Sequence, residues 1–223
     1  MASGRLGSGA DPPDERGPLP LSAVPAFVEA RRSIRAFRPD PVPRADLDAI
    51  VEAACLAPAP HHSRPWRFVV VDTDDAKRAL AQGMGVRWRR DLLTDGVATE
   101  RIEELVDASH EKLVRAPAFV VGCLTWNGLD RYPDERRQRA EWGMALLSLG
   151  AAVENLMLTA TDRGLASCWV AAPISCPEEA RDALSLPVEW LPHALVLVGL
   201  PDPAYVGRTR PPVPLDEIRR FAQ

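Results

Sequence analysis

The sequence predicts a domain of the α/β or α+β class, with a core sheet flanked by helices. Three observations predict it. Short β-branched runs are bounded by turn formers, and helical stretches with apolar residues three and four positions apart separate most of them. The composition, 46% hydrophobic and 26% charged over 223 residues, is that of one ordinary globular domain. The net charge of −4 speaks against a nucleic-acid partner, which would call for a basic excess. No apolar run reads as a membrane span, and the amino terminus lacks the charged-then-apolar order of a signal peptide. A cytoplasmic protein with no membrane partner is therefore expected. Cys55, Cys123, Cys168 and Cys176 are scattered, form no C-x-x-C pair and are read as reduced, mostly structural thiols.

Residues 1–22 are rich in Gly, Pro and charge and have almost nothing to bury, so a disordered leader is expected there, with 23–223 as the folded domain. "VPAFVEARRS" can form a short helix ending near an arginine run, after which Pro39, Pro41 and Pro43 force an extended turn. "RADLDAIVEAACLA" sets Leu47, Ile50, Val51, Ala54 and Cys55 at helical spacing. "APAPHHSRP" breaks that helix, and "WRFVVVD" reads as a buried strand. Asp72 to Asp75 are expected to cap a helix through "AKRALAQGMGVRWRRDLL", and charged polar segments then continue to Arg115. "APAFVVGCLT" is the second strand. "QRAEWGMALLSLGAAVENLMLTATDRG" is the longest helix, apolar on more than one face and stopped by Gly164; such a helix belongs at the centre of a core or of a dimer interface. "LASCWVA" is the third strand, with Trp169 expected in the core. "PEEARDALSL" is a helix with proline in its first turn, "HALVLVGLP" the fourth strand, and "GRTRPPVPLDEIRRFA" a second basic turn and a short helix.

Several chemistries lack their residues. "GMGVRW" has neither the third glycine nor the preceding strand of a dinucleotide fingerprint. His61 and His62 are adjacent and have no acidic or thiol neighbour, so no metal is assigned to them. His110 reads as an exposed helix residue and His193 as a strand-edge residue, neither with an obvious partner. Glu141 and Glu154 stand thirteen helical positions apart, about 20 Å, too far to share one bond of a substrate. Trp126 and Trp142 read as packing residues.

What remains is an ordered set: "RRSIRAF", "APAPHHSRPWRFVVV", "DRGLASCWV" and "GRTRPPVPL". Together these resemble the FMN-dependent nitroreductase family. The resemblance implies an α+β nitroreductase-like fold, a mostly antiparallel central sheet flanked by helices, and an intertwined homodimer. It further implies that Arg31, Arg32, Ser33 and Arg35 bind the FMN phosphate and ribityl chain, joined by Arg210 or Arg208 from near the carboxyl terminus. Arginine suits this role because its forked donors match phosphate oxygens. The loop Pro58, Ala59, Pro60 and His62 is implied to pack on the partner's flavin ring, although His62, Arg64 and Ala59 replace the family's usual asparagine, glutamine and serine. Gly164, Leu165, Ser167 and Cys168 are implied to pass the ring edge with main-chain N–H groups near its polar atoms.

The extra positive charge in that loop points to an anionic small-molecule substrate, with His61, Arg64, Arg67 and Arg87 as candidate binding residues and His62 as a candidate proton donor. "APAPHHxRPxRF" and "GLxSCW" are similar, more narrowly, to reductase domains of deazaflavin coenzyme F-420 biosynthesis, which implies reduction of a phosphoenolpyruvyl dehydro precursor. The chain here lacks the ligase domain that accompanies them, so a stand-alone reductase is expected. Two other readings stand beside it: a general nitro- or quinone reductase using NAD(P)H as electron donor, and a non-catalytic flavin- or deazaflavin-binding module.

Overall fold

The computed structural model describes residues 25–205, 211 and 214–222. The expected leader and the arginines Arg208 and Arg210 lie outside the described residues. Helices α1 (Ala26–Ala30) and α2 (Arg44–Ala54) precede strand β1 (Trp66–Val71). Helices α3 (Asp74–Thr94) and α4 (Thr99–Val114) then lead to β2 (Ala118–Leu124). The long helix α5 (Glu135–Asp162) is followed by β3 (Ala166–Val170), α6 (Pro177–Ala183), β4 (Leu191–Gly199) and α7 (Leu215–Ile218).

The four strands form one sheet in the order β1-β2-β4-β3, and every pairing is antiparallel. The α+β expectation and its antiparallel sheet therefore hold. Alternation of side chains divides the sheet into two faces. Ala118, Val120 and Leu124 of β2 and Ala194, Val196 and Val198 of β4 face a core built with α2 and α5. Phe119, Val121, Cys123, Leu195 and Leu197 face a second core containing Leu80, Met84, Leu113 and Ala180 from α3, α4 and α6. Burial on both faces explains why β2 and β4 read as near-continuous apolar runs.

The central helix α5 packs Ala145, Leu149, Ala152, Val153 and Leu156 into the first core. Gly122 admits it, because a Cβ there would stand 3.1 Å from Leu149 Cδ1. Contrary to the sequence reading, α5 is long and apolar enough to cross a membrane by length and composition alone, with a mean hydropathy of 1.4; its place between the sheet and α2 is that of a core helix. Asp134 caps it by accepting the Arg137 N–H at 2.9 Å, and this bond holds the Asp134 carboxyl below its ordinary range. Gly164 ends it in the left-handed conformation (φ 74°), and the Gly164 and Leu165 N–H groups donate to Thr161 and Ala160 at 3.0 and 2.8 Å.

Other sequence expectations are corrected. The charged stretch before Arg115 contains a full helix, α4, whose Ile102, Val106 and Leu113 are buried. No side chain caps α3. Asp74 in its first turn instead pairs with Lys77 at 3.0 Å, and the buried Lys77 Nζ also donates to the Ala116 carbonyl at 3.1 Å. Trp169 is 42% exposed rather than in the core, because β3 is an edge strand. His193 does have partners. It is the extra residue of a bulge opposite Gly122 and Cys123, its Nδ1 lies 2.7 Å from the Leu191 carbonyl, and its ring meets Trp142 edge-on at 5.6 Å. Burial pushes the His193 pKa down.

At the end of the sheet, Gly199 makes room for two neighbours. A Cβ there would come 2.7 Å from Pro117 Cδ and 2.9 Å from Phe37 Cδ1. Gly199→Ala is therefore expected to destabilise the fold by about 1–3 kcal/mol through overpacking, read as a lower urea midpoint with an unchanged m-value.

Candidate functional site

The arginine run sits beside the sheet rather than at a solvated helix end. After α1 the chain extends, and Ser33 forms a parallel bridge with Ser167 at the start of β3. The Ile34 N–H donates to the Ser167 carbonyl at 3.0 Å. Further on, Phe37 bridges Pro201, the Arg38 N–H donates to Leu200 at 2.9 Å, and the Asp202 N–H returns a bond to Ala36 at 3.2 Å. The segment is thus fixed along one edge of the sheet by main-chain bonds, leaving its side chains to other tasks.

Arg31 Nε is 3.1 Å from Glu154 Oε1 on α5, which ties the segment to the central helix. Arg32 donates to the carbonyls of Glu29 and Arg31, and Arg35 Nη1 donates to the Ser33 carbonyl at 3.2 Å. Among the described residues neither Arg32 nor Arg35 has a carboxylate partner. Ser167 is 1% exposed and its Oγ has no hydrogen-bond partner among the described residues. Arginines bonded only to carbonyls, next to a strand with an unsatisfied buried hydroxyl, fit a phosphate-bearing group.

The expectation for the Gly164 turn is corrected in part. The N–H groups of Gly164 and Leu165 are already engaged in the helix-end bonds and are not available to a ligand. Because the Ser167 carbonyl points away from β4, alternation turns the Trp169 N–H to the same free edge. Cys168 points the other way, into the second core.

The second candidate segment, Ala57–Pro65, precedes β1. A 3₁₀ turn at Pro60–His62 closes it, with the His62 and Ser63 N–H groups donating to Ala59 and Pro60. His61, His62 and Arg64 all adopt left-handed backbone conformations, φ 53°, 54° and 47°, which are unfavourable for residues with a Cβ. Three contacts hold them there. Arg67 Nη1 donates to the Arg64 and Trp66 carbonyls at 3.1 and 2.7 Å, the Thr125 N–H donates to Pro65 at 2.9 Å, and Gly128 abuts Ser63, whose carbonyl oxygen would lie 2.9 Å from a Cβ at that position. His61, His62 and Arg64 remain exposed, and no carboxylate pairs with them among the described residues. Arg67 is occupied in shaping the loop.

These two segments do not meet within one chain. β1 and β3 are opposite edges of the sheet and run antiparallel to each other, so their starts occupy diagonally opposite corners, roughly 25 Å apart on ideal strand spacings. Arg87 lies in a third place, on α3, where Asp91 takes its Nε at 2.9 Å and raises its pKa. It lines a cavity together with Trp88, Ser109 and His110; the sequence reading took His110 as an exposed helix residue and passed over Ser109 because the surrounding stretch is dominated by charge. The signal was present in the apolar spacing of Ile102, Val106 and Leu113. Burial pushes the Cys123 and Cys176 thiols up to about 12 and about 11, which leaves them unreactive at neutral pH. Among the described residues no group of three or more His, Cys, Asp or Glu side chains could hold a metal ion.

Comparison with known proteins places this geometry. The chain is 30% identical to 5,6-dimethylbenzimidazole synthase of Rhodospirillum rubrum over 79% of its own length and 81% of that protein. Among solved structures, a BluB-like flavoprotein from Clostridium difficile superimposes with a TM-score of 0.72 at 21% identity, covering 88% of this chain and 97% of that one. The FMN-dependent nitroreductase NfnB from Mycobacterium smegmatis, solved in complex with NADPH, gives 0.66 at 22% identity, with 88% and 96% covered. Residues 28–200, which include both candidate segments and all four strands, match the nitroreductase family as a whole, and the chain belongs to that family.

Proposed function

We propose that the chain is a cytoplasmic FMN-dependent oxidoreductase that works as a homodimer. The observation that carries this reading is the arginine segment bridged to the edge of β3, with the buried Ser167 hydroxyl beside it, which has no hydrogen-bond partner among the described residues. Arg31, Arg32, Ser33 and Arg35 would hold the phosphate and ribityl chain, with Arg208 or Arg210 completing the set. The Trp169 N–H on the free edge is a fixed donor for a polar atom further along the same ligand. Bound FMN supplies hydride-transfer chemistry that no side chain can.

The homodimer is supported by the separation of the two segments. A loop at the opposite corner can cover a cofactor on β3 only when a second copy brings it, and Pro58, Ala59, Pro60 and His62 would do so. The outward face of α5, where Leu147 is 75% and Met144 38% exposed, gives such a copy an apolar surface to bury.

For the substrate, we assign an anionic molecule of the kind reduced in deazaflavin coenzyme F-420 biosynthesis, a dehydro precursor bearing phosphate and carboxylate. His61, His62 and Arg64, exposed and without a carboxylate partner among the described residues, support this: their donors would neutralise such groups and position them. Arg67 would act through the loop it shapes, and His62 would supply the proton. A general NAD(P)H-dependent nitro- or quinone reductase is the second reading, favoured by the likeness to NfnB.

Two experiments test these assignments. FMN titration of Arg31→Ala and Arg32→Ala should show affinity falling about ten- to a hundredfold for each, while riboflavin, which lacks the phosphate, binds as it does to the parent protein. Equal losses for both flavins would contradict the phosphate role. In steady-state assays Arg64→Ala should raise KM for the dehydro precursor and leave KM for a neutral nitroaromatic unchanged. Turnover of the nitroaromatic with NAD(P)H and no reaction of the precursor would favour the second reading.

A further inference from the structure

The connection between β2 and α5, residues 125–134, contains no strand or helix yet is fastened at several points. Leu129 is buried in the first core, and the Trp126 ring stacks on Trp142 of α5 with centroids 4.5 Å apart. Two side chains of α5, three positions apart and so on one face, take main-chain N–H groups of the connection. Glu141 Oε1 accepts from Asp130 at 3.1 Å, and Gln138 Oε1 accepts from Tyr132 at 3.0 Å.

Glu141 is 1% exposed, and the bond from Asp130 is the one hydrogen bond it makes among the described residues; its Oε2 is buried and has no partner there. A carboxylate at that depth is costly to desolvate, while its charge strengthens the bond it does accept. An apolar side chain of similar size would fill the position without that cost. The contribution of Glu141 therefore lies in what it holds, the main chain at Asp130.

The connection in turn supports the strained loop before β1. Gly128, two residues before Asp130, has φ 83°, and a Cβ there would stand 2.9 Å from the Ser63 carbonyl oxygen. At the start of the connection the Thr125 N–H donates to Pro65 at 2.9 Å. These contacts fall on either side of Arg64 and next to His62, within the stretch where His61, His62 and Arg64 are left-handed. Ser63 Oγ is itself buried without a partner among the described residues, so packing against Gly128, not that hydroxyl, sets the place of Ser63.

We propose that Glu141, helped by Gln138, is a positioning residue for His61, His62 and Arg64. It acts through Asp130 and Gly128 on Ser63, and so on the direction in which the flanking histidines and arginine present their donors. What it does for turnover rests on the reading that these three side chains meet an anionic substrate.

Amide hydrogen exchange tests the positioning role without an assay of turnover. In Glu141→Ala the Ser63 and Thr125 amides should exchange about tenfold faster or more, while the Leu195 and Val196 amides of β4 keep the parent rates. Glu141→Gln, which keeps the acceptor oxygen, should bring Ser63 and Thr125 back to within about twofold of the parent. Parent rates at Ser63 and Thr125 in folded Glu141→Ala, or equal loosening in Glu141→Gln, overturn the inference. Where Glu141→Ala does not fold, Gln138→Ala cuts the second tie alone and should give the same pattern at about threefold; parent rates in that variant overturn it. In steady-state assays Glu141→Ala should raise KM for the dehydro precursor about fivefold, with kcat within about twofold of the parent and KM for a neutral nitroaromatic unchanged. Faster exchange with an unchanged KM for the precursor, or with no turnover of it by the parent protein, supports the positioning role and overturns the substrate reading instead.

Discussion

A main-chain hydrogen bond from the Ile34 N–H to the Ser167 carbonyl, 3.0 Å long, joins a segment bearing four arginines to the edge of the sheet. The Ser33–Ser167 bridge aligns the two chains there, and the bonds at Ala36, Arg38 and Leu200 extend the attachment beyond β4. Because the backbone is held this way, the guanidinium groups need not hold it. Arg31 leans on Glu154, while Arg32 and Arg35 rest on carbonyls that a dianion could replace without leaving a carboxylate opposed to it. An unpartnered buried hydroxyl such as Ser167 Oγ normally carries a penalty on the order of 1–3 kcal/mol, and a ligand that bonds to it would remove that penalty.

Strand order imposes the second constraint. With β1 and β3 at opposite edges and antiparallel, the strained loop before β1 cannot reach the arginine segment of its own chain. The same sheet that rigidly positions each half of the site keeps the halves apart. Under the proposed function a second copy would bring them together, and the exposed Leu147 and Met144 on α5 offer it an apolar surface. The loop's three left-handed residues make sense in this light, since backbone strain held by Arg67, Thr125 and Gly128 fixes His61, His62 and Arg64 outward, toward whatever lies beyond the chain.

Much of this could be read from the sequence, and the limits have physical causes. The four strands were legible because each is a short apolar run near turn formers, and α5 because its apolar residues continue for many turns. The arginine run was legible as a candidate anion site because of its residue types and their order relative to the other segments. α4 was obscured by its charge: Ile102, Val106 and Leu113 are spaced widely enough for Glu and Asp to dominate the stretch. Trp169 was placed inside because an apolar strand carries no mark of being at an edge. Strand order is set by contacts distant in sequence, so neither the corner-to-corner separation nor the cavity reaching Ser109 and His110 had a local signature. The engagement of the Gly164 and Leu165 N–H groups was likewise hidden, although the glycine stop itself was visible.

Amide hydrogen exchange with and without FMN tests most directly whether the cofactor lies along the free edge of β3. The Ile34 amide should be protected in both states because the bond to Ser167 is intrinsic to the fold. The Trp169 amide should exchange freely without FMN and become protected when FMN is bound. A Trp169 amide that exchanges equally fast in the stoichiometric FMN complex would contradict the account.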